Sequence, residues 1–323
     1  MTRDKIIGAL LGTAVGDALG MPIEGLSHQN VRTYYKGIKE YRADDQRGDL
    51  DKGQWTDDTQ FTFAVARALV ASDVVEEWPE QAAHEYVELM DEARRWGPTT
   101  QAAVDRLAEG LSMEDAGDDE RPTDGAAMRA APLGVWWAAT GASRDNALAV
   151  VHPVLAVTHR HPAALAAGVG QAFAVRTALD QSVGSFDPDS FWTALIDVTE
   201  WTESQLGGDN ESVSTRLHQL TGHLDEFPLD LRDLCSGVGV RADEAWPFAV
   251  AMFARAPHLV ENTLLSAINV GGDADTTGAM LGALLGALHG WSAFPDEWHD
   301  GLEACSDLEA QAEAFARRLT ESL

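Results

Sequence analysis

The sequence has little cysteine and little lysine. Its two cysteines, Cys235 and Cys305, are too few and too far apart for a disulfide framework or a paired-cysteine metal site. We therefore expect a protein of the reducing cytoplasm. All four lysines lie within the first 52 residues, and 52 acidic against 23 basic residues give a net charge of −29. Such a surface repels phosphate backbones and disfavours nucleic acid as a partner.

Strand-like alternation of apolar and polar residues is nearly absent. Apolar residues recur instead at three- and four-residue steps, which predicts helices. The clearest of these segments are 61–75, 80–96, 99–111, 161–179 and 245–256. We therefore predict an all-α fold.

Long linkers are also absent. Polar or Gly- and Pro-rich breaks fall at 41–53, 112–125 and 182–190, and none has the length or low complexity of a domain linker. With 45% hydrophobic residues, the chain can bury a substantial core. We predict one compact multi-helix domain over residues 1–323 and favour a monomer.

Two apolar segments resemble targeting or membrane sequences. Residues 1–20 begin with basic side chains and run into apolar ones, as a secretory signal does, but about half of the run is glycine and alanine. Residues 276–295 carry no charge and have the length of a membrane span, yet small residues dominate them too. We expect two buried helices and no membrane partner.

Both segments repeat glycine at every fourth position. On a helix this spacing lines the glycines along one face, where another backbone can approach closely. Each glycine costs about 0.8–1 kcal/mol of helix stability relative to alanine, so close packing must offset the loss. We predict two tightly packed central helices, and the shared spacing suggests that they touch. The two sets are Gly8, Gly12, Gly16, Gly20 and Gly278, Gly282, Gly286, Gly290.

Two acidic clusters stand immediately before helical segments. The simplest interpretation is capping, because Thr and Asp side chains accept hydrogen bonds from the free N–H groups of a helix start. However, each start carries more acidic residues than a cap needs. The clusters are Thr56, Asp57, Asp58 and Asp273, Asp275, Thr276.

The alternative interpretation places both helix starts around one cleft. Four carboxylates converging there would repel one another and would have to bind protons or cations. Oxygen ligands without His or Cys favour Mg²⁺ or Mn²⁺, with Ca²⁺ as a further option, over zinc. Two such ions about 3.5 to 4 Å apart would polarise substrate oxygens and a water molecule.

Five motifs resemble those of the ADP-ribosylglycohydrolase family. They occur in the family's order between residues 8 and 290, and only roughly 180–240 lacks a matching signature. The resemblance implies an all-α domain of orthogonally packed helices with two Mg²⁺ ions, or Mn²⁺, at the base of an ADP-ribose cleft. The motifs are GALLGTAVGDALGMPIEG, GQWTDDTQ, DGAAMRAAPLG, THRHPAALAAG and NVGGDADTTGAMLGALLGALHG.

The resemblance also implies roles for single residues. Glu24 matches a family glutamate on a loop that approaches metals and substrate, and it is carried over as catalytic and substrate-binding, although alone it would be an exposed loop carboxylate. Asp17 is interpreted as a buried residue that positions neighbouring backbone, without chemistry. The implied metal ligands, whose aspartates are also the implied catalytic residues, are Thr56, Asp57, Asp58, Asp273, Asp275 and Thr276.

A further set of residues would contact ADP-ribose. The family usually carries Gly-Asn where this chain has Thr123 and Asp124, and a carboxylate beside a phosphate is unfavourable. His159, next to Thr158, has two equally supported interpretations, a contact with the distal ribose and a structural role. His161 is the weaker candidate for the ribose contact. Besides Glu24, the implied contacts are Gly125, Ala126, Met128, His159, Gly271 and Gly272.

The reaction implied by the resemblance is Mg²⁺-dependent release of ADP-ribose from a modified acceptor. The motifs are most similar to arginine-directed bacterial members, so ADP-ribosylated arginine on protein is the first expectation. Serine-linked ADP-ribose, O-acetyl-ADP-ribose and ADP-ribosylated nucleobases or phosphates remain alternatives. Two rival classes are a two-metal phosphohydrolase, which normally shows histidines or acidic helix repeats, and a catalytically silent ADP-ribose-binding protein.

Overall fold

Helices account for the regular structure of the chain. The computed structural model describes residues 1–207 and 213–321, and within these ranges there are three isolated β-bridges and no strand. The all-α prediction is therefore confirmed. The α-helices are α1 (Arg3–Gly20), α2 (His28–Asn30), α3 (Asp57–Ala71), α4 (Trp78–Glu88), α5 (Pro98–Ala108), α6 (Met113–Ala116), α7 (Gly125–Met128), α8 (Ala131–Thr140), α9 (Arg144–Ala156), α10 (Pro162–Asp180), α11 (Pro188–Leu206), α12 (Val213–Leu220), α13 (Pro228–Leu234), α14 (Ala242–Arg255), α15 (Val260–Ile268), α16 (Ala274–His289), α17 (Asp296–Gly301) and α18 (Cys305–Glu321). Shorter turns are the 3-10 helices Met21–Ile23, Val75–Glu77, Met90–Glu92 and Trp291–Ala293 and the π-helix Val31–Tyr35.

Two of the predicted helices end earlier than the apolar pattern does. Helix α3 stops because Ser72 takes an extended conformation and its hydroxyl accepts a hydrogen bond from the Val74 N–H at 3.0 Å. Helix α4 stops at Glu88, and Arg95 beyond it has a left-handed φ of 56°. Most apolar residues past the two ends pack partly buried against the core, from 3-10 turns or irregular backbone that periodicity cannot distinguish from α-helix. Val74 is the exception, because its side chain is exposed.

The predicted contact between the glycine-rich helices lies at the centre of the fold. Helices α1 and α16 run antiparallel, and a Cβ atom at Gly8 would lie 2.7 Å from the Gly286 carbonyl oxygen. At Gly16, opposite Gly278, a Cβ atom would lie nearer still. The two backbones therefore touch along the whole pair, and this contact aligns the C-terminal end of α1 with the N-terminal end of α16.

Replacing Gly16 by alanine is expected to destabilise the protein by about 3 kcal/mol, because the new methyl group would overlap the α16 backbone and force the helices apart. Urea unfolding measures this loss. Gly184→Ala is the matched control, since no atom lies within 4 Å of a Cβ atom there. A loss for Gly16→Ala no larger than that of the control would contradict the observed packing.

One segment of the described residues, Arg3–Ile23, is long and apolar enough to cross a membrane by length and composition alone. Its most apolar stretch is entirely buried inside the protein, and core helices of soluble proteins pass the same test. The second apolar segment of the sequence does not form such a span, because α16 ends at His289. Both segments belong to one cluster of buried residues that extends to α18.

Candidate active site

The two acidic clusters meet where α3 and α16 begin. The Thr276 hydroxyl lies 3.4 Å from Asp58 Oδ2, across 218 positions of sequence. The Thr56 hydroxyl lies 3.3 Å from the same oxygen. Asp58 is thus the point at which the clusters join, and the arrangement of both helix starts around one site is observed.

Capping by the clusters themselves, the simpler interpretation, holds only in part, at the start of α16, where Asp275 Oδ1 accepts a hydrogen bond from the Thr276 N–H at 3.0 Å. Neither N-cap residue, Thr56 or Asp273, caps its own helix through its side chain. Instead Asp17, fully buried on α1, accepts hydrogen bonds at 3.0 Å from the N–H groups of Thr56 and Thr59. It also accepts from both hydroxyls, at 2.9 Å and 2.6 Å. A carboxylate from another helix does the capping, so the acidic residues of α3 are left to face the site.

Asp17 is therefore a positioning residue, as interpreted from the sequence. Burial raises its pKa to about 6, against the opposing effect of the hydrogen bonds from Thr59 and Thr56. Asp17→Asn would turn an amide N–H group toward these donors, and we expect a loss of about 2 to 3 kcal/mol in the free energy of unfolding. Urea unfolding beside the exposed control Asp119→Asn measures it; equal stability of the two variants would show that Asp17 does not hold α3 in place.

Five carboxylates crowd this end of the molecule. Four are buried, and Asp57 is partly exposed. Burial is the largest cause that raises each pKa well above the ordinary aspartate value, and neighbouring carboxylates add to it. In the part of the chain that the structure describes, no Lys, Arg or His side chain forms an ion pair with any of them, so no basic group compensates their charge. The five are Asp57, Asp58, Asp124, Asp273 and Asp275.

The donor chemistry of this group fits a hard cation. Asp58 Oδ1 and Asp124 Oδ2 are buried and have no hydrogen-bond partner. Such oxygens are costly to bury unless a donor or an ion satisfies them, and oxygen-only sets suit Mg²⁺ and Mn²⁺. Within residues 1–207 and 213–321, no three His, Cys, Asp or Glu side chains are already arranged around one point. To enclose an ion, the carboxylates would have to turn inward and be joined by threonine hydroxyls.

A cleft opens above the clusters, and most of the implied site residues line it. Thr56 and Asp58 lie deeper, in the hydrogen-bonded contact between the helix starts. Ala126 is buried outside the cleft lining. Implied residues along the wall are Glu24, Asp57, Gly125, Met128, His159, Asp273, Asp275 and Thr276.

Gly271 and Gly272 also lie outside the residues that line this cleft. The Gly272 N–H donates to the Leu26 carbonyl at 2.8 Å, and the Gly272 carbonyl accepts from the Gly25 N–H at 2.8 Å. These bonds tie the entry of α16 to the loop that carries Glu24. Gly271 pairs with Ser27 of the same loop in an isolated β-bridge. In this structure both glycines therefore hold the loop, and their contact with substrate stays a prediction.

Glu24 stands at the edge of the cleft between two arginines. Its Oε2 accepts a hydrogen bond from Arg47 Nη1 at 2.5 Å and lies 3.4 Å from Arg95 Nη1. Arg95 also donates to the Met21 carbonyl at 3.0 Å and to Asp44 at 2.8 Å. Glu24 is thus fixed by ion pairs and is not the freely exposed carboxylate that its position in the sequence alone would favour.

The two histidines of the THRHP motif have different roles. His159 is buried and lines the cleft, with Nε2 3.0 Å from the Thr123 hydroxyl and Nδ1 2.8 Å from the Thr158 hydroxyl. His161 Nδ1 accepts from the Ala163 N–H at 3.2 Å, which makes it the N-cap of α10. Only His159 is placed to meet a ligand.

Sequence reasoning missed one side of the cleft. Thr99 and Thr100, at the proline-initiated start of α5, form that side together with Arg95. Threonines at a helix start were the signal that could have identified them, as in the first acidic cluster. Val240 had no such signal, since it reaches the site through main-chain pairing: its carbonyl accepts from the Asp124 N–H at 3.1 Å.

Comparison with known proteins shows matches over the whole chain. The model of the family described as ADP-ribosylglycohydrolase matches residues 1–322. The glycohydrolase of ADP-ribosyl-[dinitrogen reductase] from Rhodospirillum rubrum is 27% identical, covering 99% of this chain and 96% of the relative. ADP-ribosylhydrolase ARH3 of Mus musculus is 25% identical, covering 98% and 92%.

A solved structure gives the same result for the fold. The chain aligns with a structure titled ADP-ribosylglycohydrolase-related protein complex at a TM-score of 0.75 and 28% identity, covering 98% of both chains. The acidic clusters that meet at Asp58 lie in this shared fold. The chain belongs to the ADP-ribosylglycohydrolase family, whose members hydrolyse glycosidic bonds of ADP-ribose.

Proposed function

We propose that this chain is an Mg²⁺-dependent hydrolase that releases ADP-ribose from arginine side chains of proteins, with Mn²⁺ as an alternative metal. The observation that carries the metal requirement is the meeting of two acidic clusters at Asp58, without a basic partner among the described residues. The family supplies the substrate class. One relative is named for its action on ADP-ribosylated dinitrogen reductase, which supports a protein substrate.

The residues proposed to hold two ions come from both helix starts. When bound, the ions would supply the positive charge that the carboxylates lack, and Lewis acidity toward the hydroxyls of the ribose and toward water. The residues proposed as ligands are Thr56, Asp57, Asp58, Asp273, Asp275 and Thr276.

Cleavage of a glycosidic bond passes through an oxocarbenium-like state, and the attacking water must lose a proton. We propose that a metal-binding aspartate of the cleft or Glu24 accepts it; the candidates that line the cleft are Glu24, Asp57, Asp273 and Asp275. Arg47 and Arg95 both pair with Glu24 and orient it at the edge of the cleft, which Arg95 itself helps to line. Helices α3 and α16 position the aspartates at their N-terminal ends. Burial beneath the cleft keeps bulk water from the reacting atoms and strengthens the electrostatic interactions.

The choice of acceptor rests on the motifs and on one relative. GQWTDDT and DADTTGA are most similar to the motifs of arginine-directed bacterial members. The Rhodospirillum rubrum relative is named for its action on an ADP-ribosylated protein. Arginine-linked ADP-ribose is therefore our first choice of acceptor.

The test is release of ADP-ribose from peptides modified on arginine or on serine, with O-acetyl-ADP-ribose and an ADP-ribosylated oligonucleotide as further substrates. Each reaction is run with Mg²⁺ and again with EDTA. We expect release from the arginine peptide in Mg²⁺ alone. Release that EDTA leaves unchanged would contradict the metal requirement, and preference for another substrate would contradict the acceptor. Binding of ADP-ribose without any release would favour a silent binding protein.

A further inference from the structure

Arg129 is a buried charge that packing alone does not explain. It ends α7 and is fully buried, with its guanidinium over the rings of Tyr86 at 5.3 Å and Phe61 at 5.7 Å. Its Nε and Nη1 have no hydrogen-bond partner, and no carboxylate among the described residues pairs with it. An unpaired buried charge costs several kcal/mol, whereas an apolar side chain of similar volume would fill the space without that cost.

Among the described residues, the side chain to which Arg129 donates a hydrogen bond begins a series of hydrogen bonds that leads to the cleft. Arg129 Nη2 bonds to the Leu155 carbonyl at 3.1 Å and to the Thr158 hydroxyl. That hydroxyl lies 2.8 Å from His159 Nδ1. From Nε2 of the same ring the hydrogen bonds continue to threonines in the wall of the cleft. The last steps are His159 Nε2 to Thr123 Oγ1 at 3.0 Å and Thr123 Oγ1 to Thr99 Oγ1 at 3.3 Å.

Arg129 sets which atom donates and which accepts in each of these hydrogen bonds, because a guanidinium can only donate. The Thr158 oxygen accepts from Arg129, so its single hydrogen is left for His159 Nδ1. A neutral imidazole that accepts at Nδ1 carries its proton on Nε2. The Nε2–H then donates to Thr123, and the Thr123 hydroxyl donates to Thr99. The hydrogen of Thr99 remains for an acceptor in the cleft.

The reverse direction is unfavourable. With the proton on Nδ1, both His159 and Arg129 would donate to Thr158, and the Thr158 hydrogen would have no acceptor along this chain. Thr158 is fully buried, so water cannot supply one.

We propose that Arg129 is a positioning residue: acting through Thr158, it fixes His159 as the Nε2–H tautomer and makes this wall of the cleft a hydrogen-bond donor. For the identity of the ligand this rests on the proposed function, since the matching groups of ADP-ribose are its ribose and phosphate oxygens. His159 therefore orients the ligand and transfers no proton. Consistent with this, burial and then the charge of Arg129 lower the pKa of His159 well below the ordinary histidine value.

Nitrogen-15 NMR of the histidine-labelled protein reads the tautomer directly, with the His159 signal assigned by its loss in His159→Asn. We expect an unprotonated Nδ1 and a protonated Nε2 in the wild type. Thr158→Val removes the hydroxyl at nearly constant shape and should produce a mixture of tautomers, whereas Thr158→Ser should restore the wild-type pattern. A protonated Nδ1 in the wild type, or an unchanged pattern in Thr158→Val, would overturn the proposal.

Arg129 itself is tested by Arg129→Met and Arg129→Lys, with circular dichroism to confirm folding. Arg129→Met should mix the tautomers and weaken ADP-ribose binding by calorimetry about tenfold, and Arg129→Lys, which still only donates, should recover most of both. If Arg129→Met fails to fold, Thr158→Val carries the same binding test. If a variant has altered tautomers of His159 but binds ADP-ribose as tightly as the wild type, this wall of the cleft has no role in binding and that part of the proposal is overturned. If the wild type has the expected tautomer but binds no ADP-ribose, the proposed function is refuted, whereas the role of Arg129 in fixing the tautomer of His159 still holds.

Discussion

Asp275→Asn is expected to abolish metal binding and lower kcat/KM for ADP-ribose release by at least about a hundredfold. Asp275 is buried beside Asp273 and lines the cleft, so the change removes one charge from the cluster without altering its shape. Circular dichroism should show the helical fold retained. Elemental analysis after gel filtration in Mn²⁺ should show the metal content lost.

The same variant should be more stable than the wild type when both are metal-free, because Asn relieves repulsion from Asp273 and Glu24. Asp300→Asn, an exposed carboxylate on α17, is the control for the change in charge and should behave as the wild type. Turnover of Asp275→Asn at the wild-type rate would contradict the assignment of this residue.

The stability of the metal-free protein is expected to fall as the pH rises from about 4 through about 6 and beyond. The folded state raises the pKa of all five site aspartates, and of Asp17 to about 6, above the unfolded values near 4. The folded protein therefore binds more protons than the unfolded chain. The stabilisation is fully present below the unfolded values and is lost as the pH passes through the folded ones.

Mg²⁺ should reverse this loss, because it favours the ionised carboxylates. At about a hundredfold excess over its dissociation constant, it should add about 2.7 kcal/mol near pH 8 and much less near pH 5, as thermal unfolding measures. Sodium chloride at equal ionic strength controls for screening of the net charge of −29. The effect should vanish in Asp275→Asn; equal stabilisation of that variant would place the bound Mg²⁺ elsewhere on the surface.

The parts of the fold that were predictable from sequence are those with a local signal. Glycine at every fourth position identified α1 and α16, since only a close approach offsets its cost in a helix. The acidic clusters identified both helix starts, because their number exceeds what a cap needs. Resemblance to a known family then placed the two starts at one site.

The parts that were not predictable depend on which residues meet in space. Nothing local shows that Asp17 caps α3, or that Arg95 takes a left-handed conformation and fixes Glu24. The hydrogen bonds from Arg129 through Thr158 to His159 join the end of α7 to the segment between α9 and α10, and only the fold fixes their direction. These contacts join segments whose individual patterns are those of ordinary buried helices.

The most direct measurement is anomalous diffraction from crystals grown in Mn²⁺. Two peaks about 3.5 to 4 Å apart are expected between residues 56–58 and 273–276, with Asp58 contacting one of them. If crystals at saturating Mn²⁺ show no anomalous peak between the two helix starts, the binuclear site is contradicted and, with it, the metal-dependent mechanism.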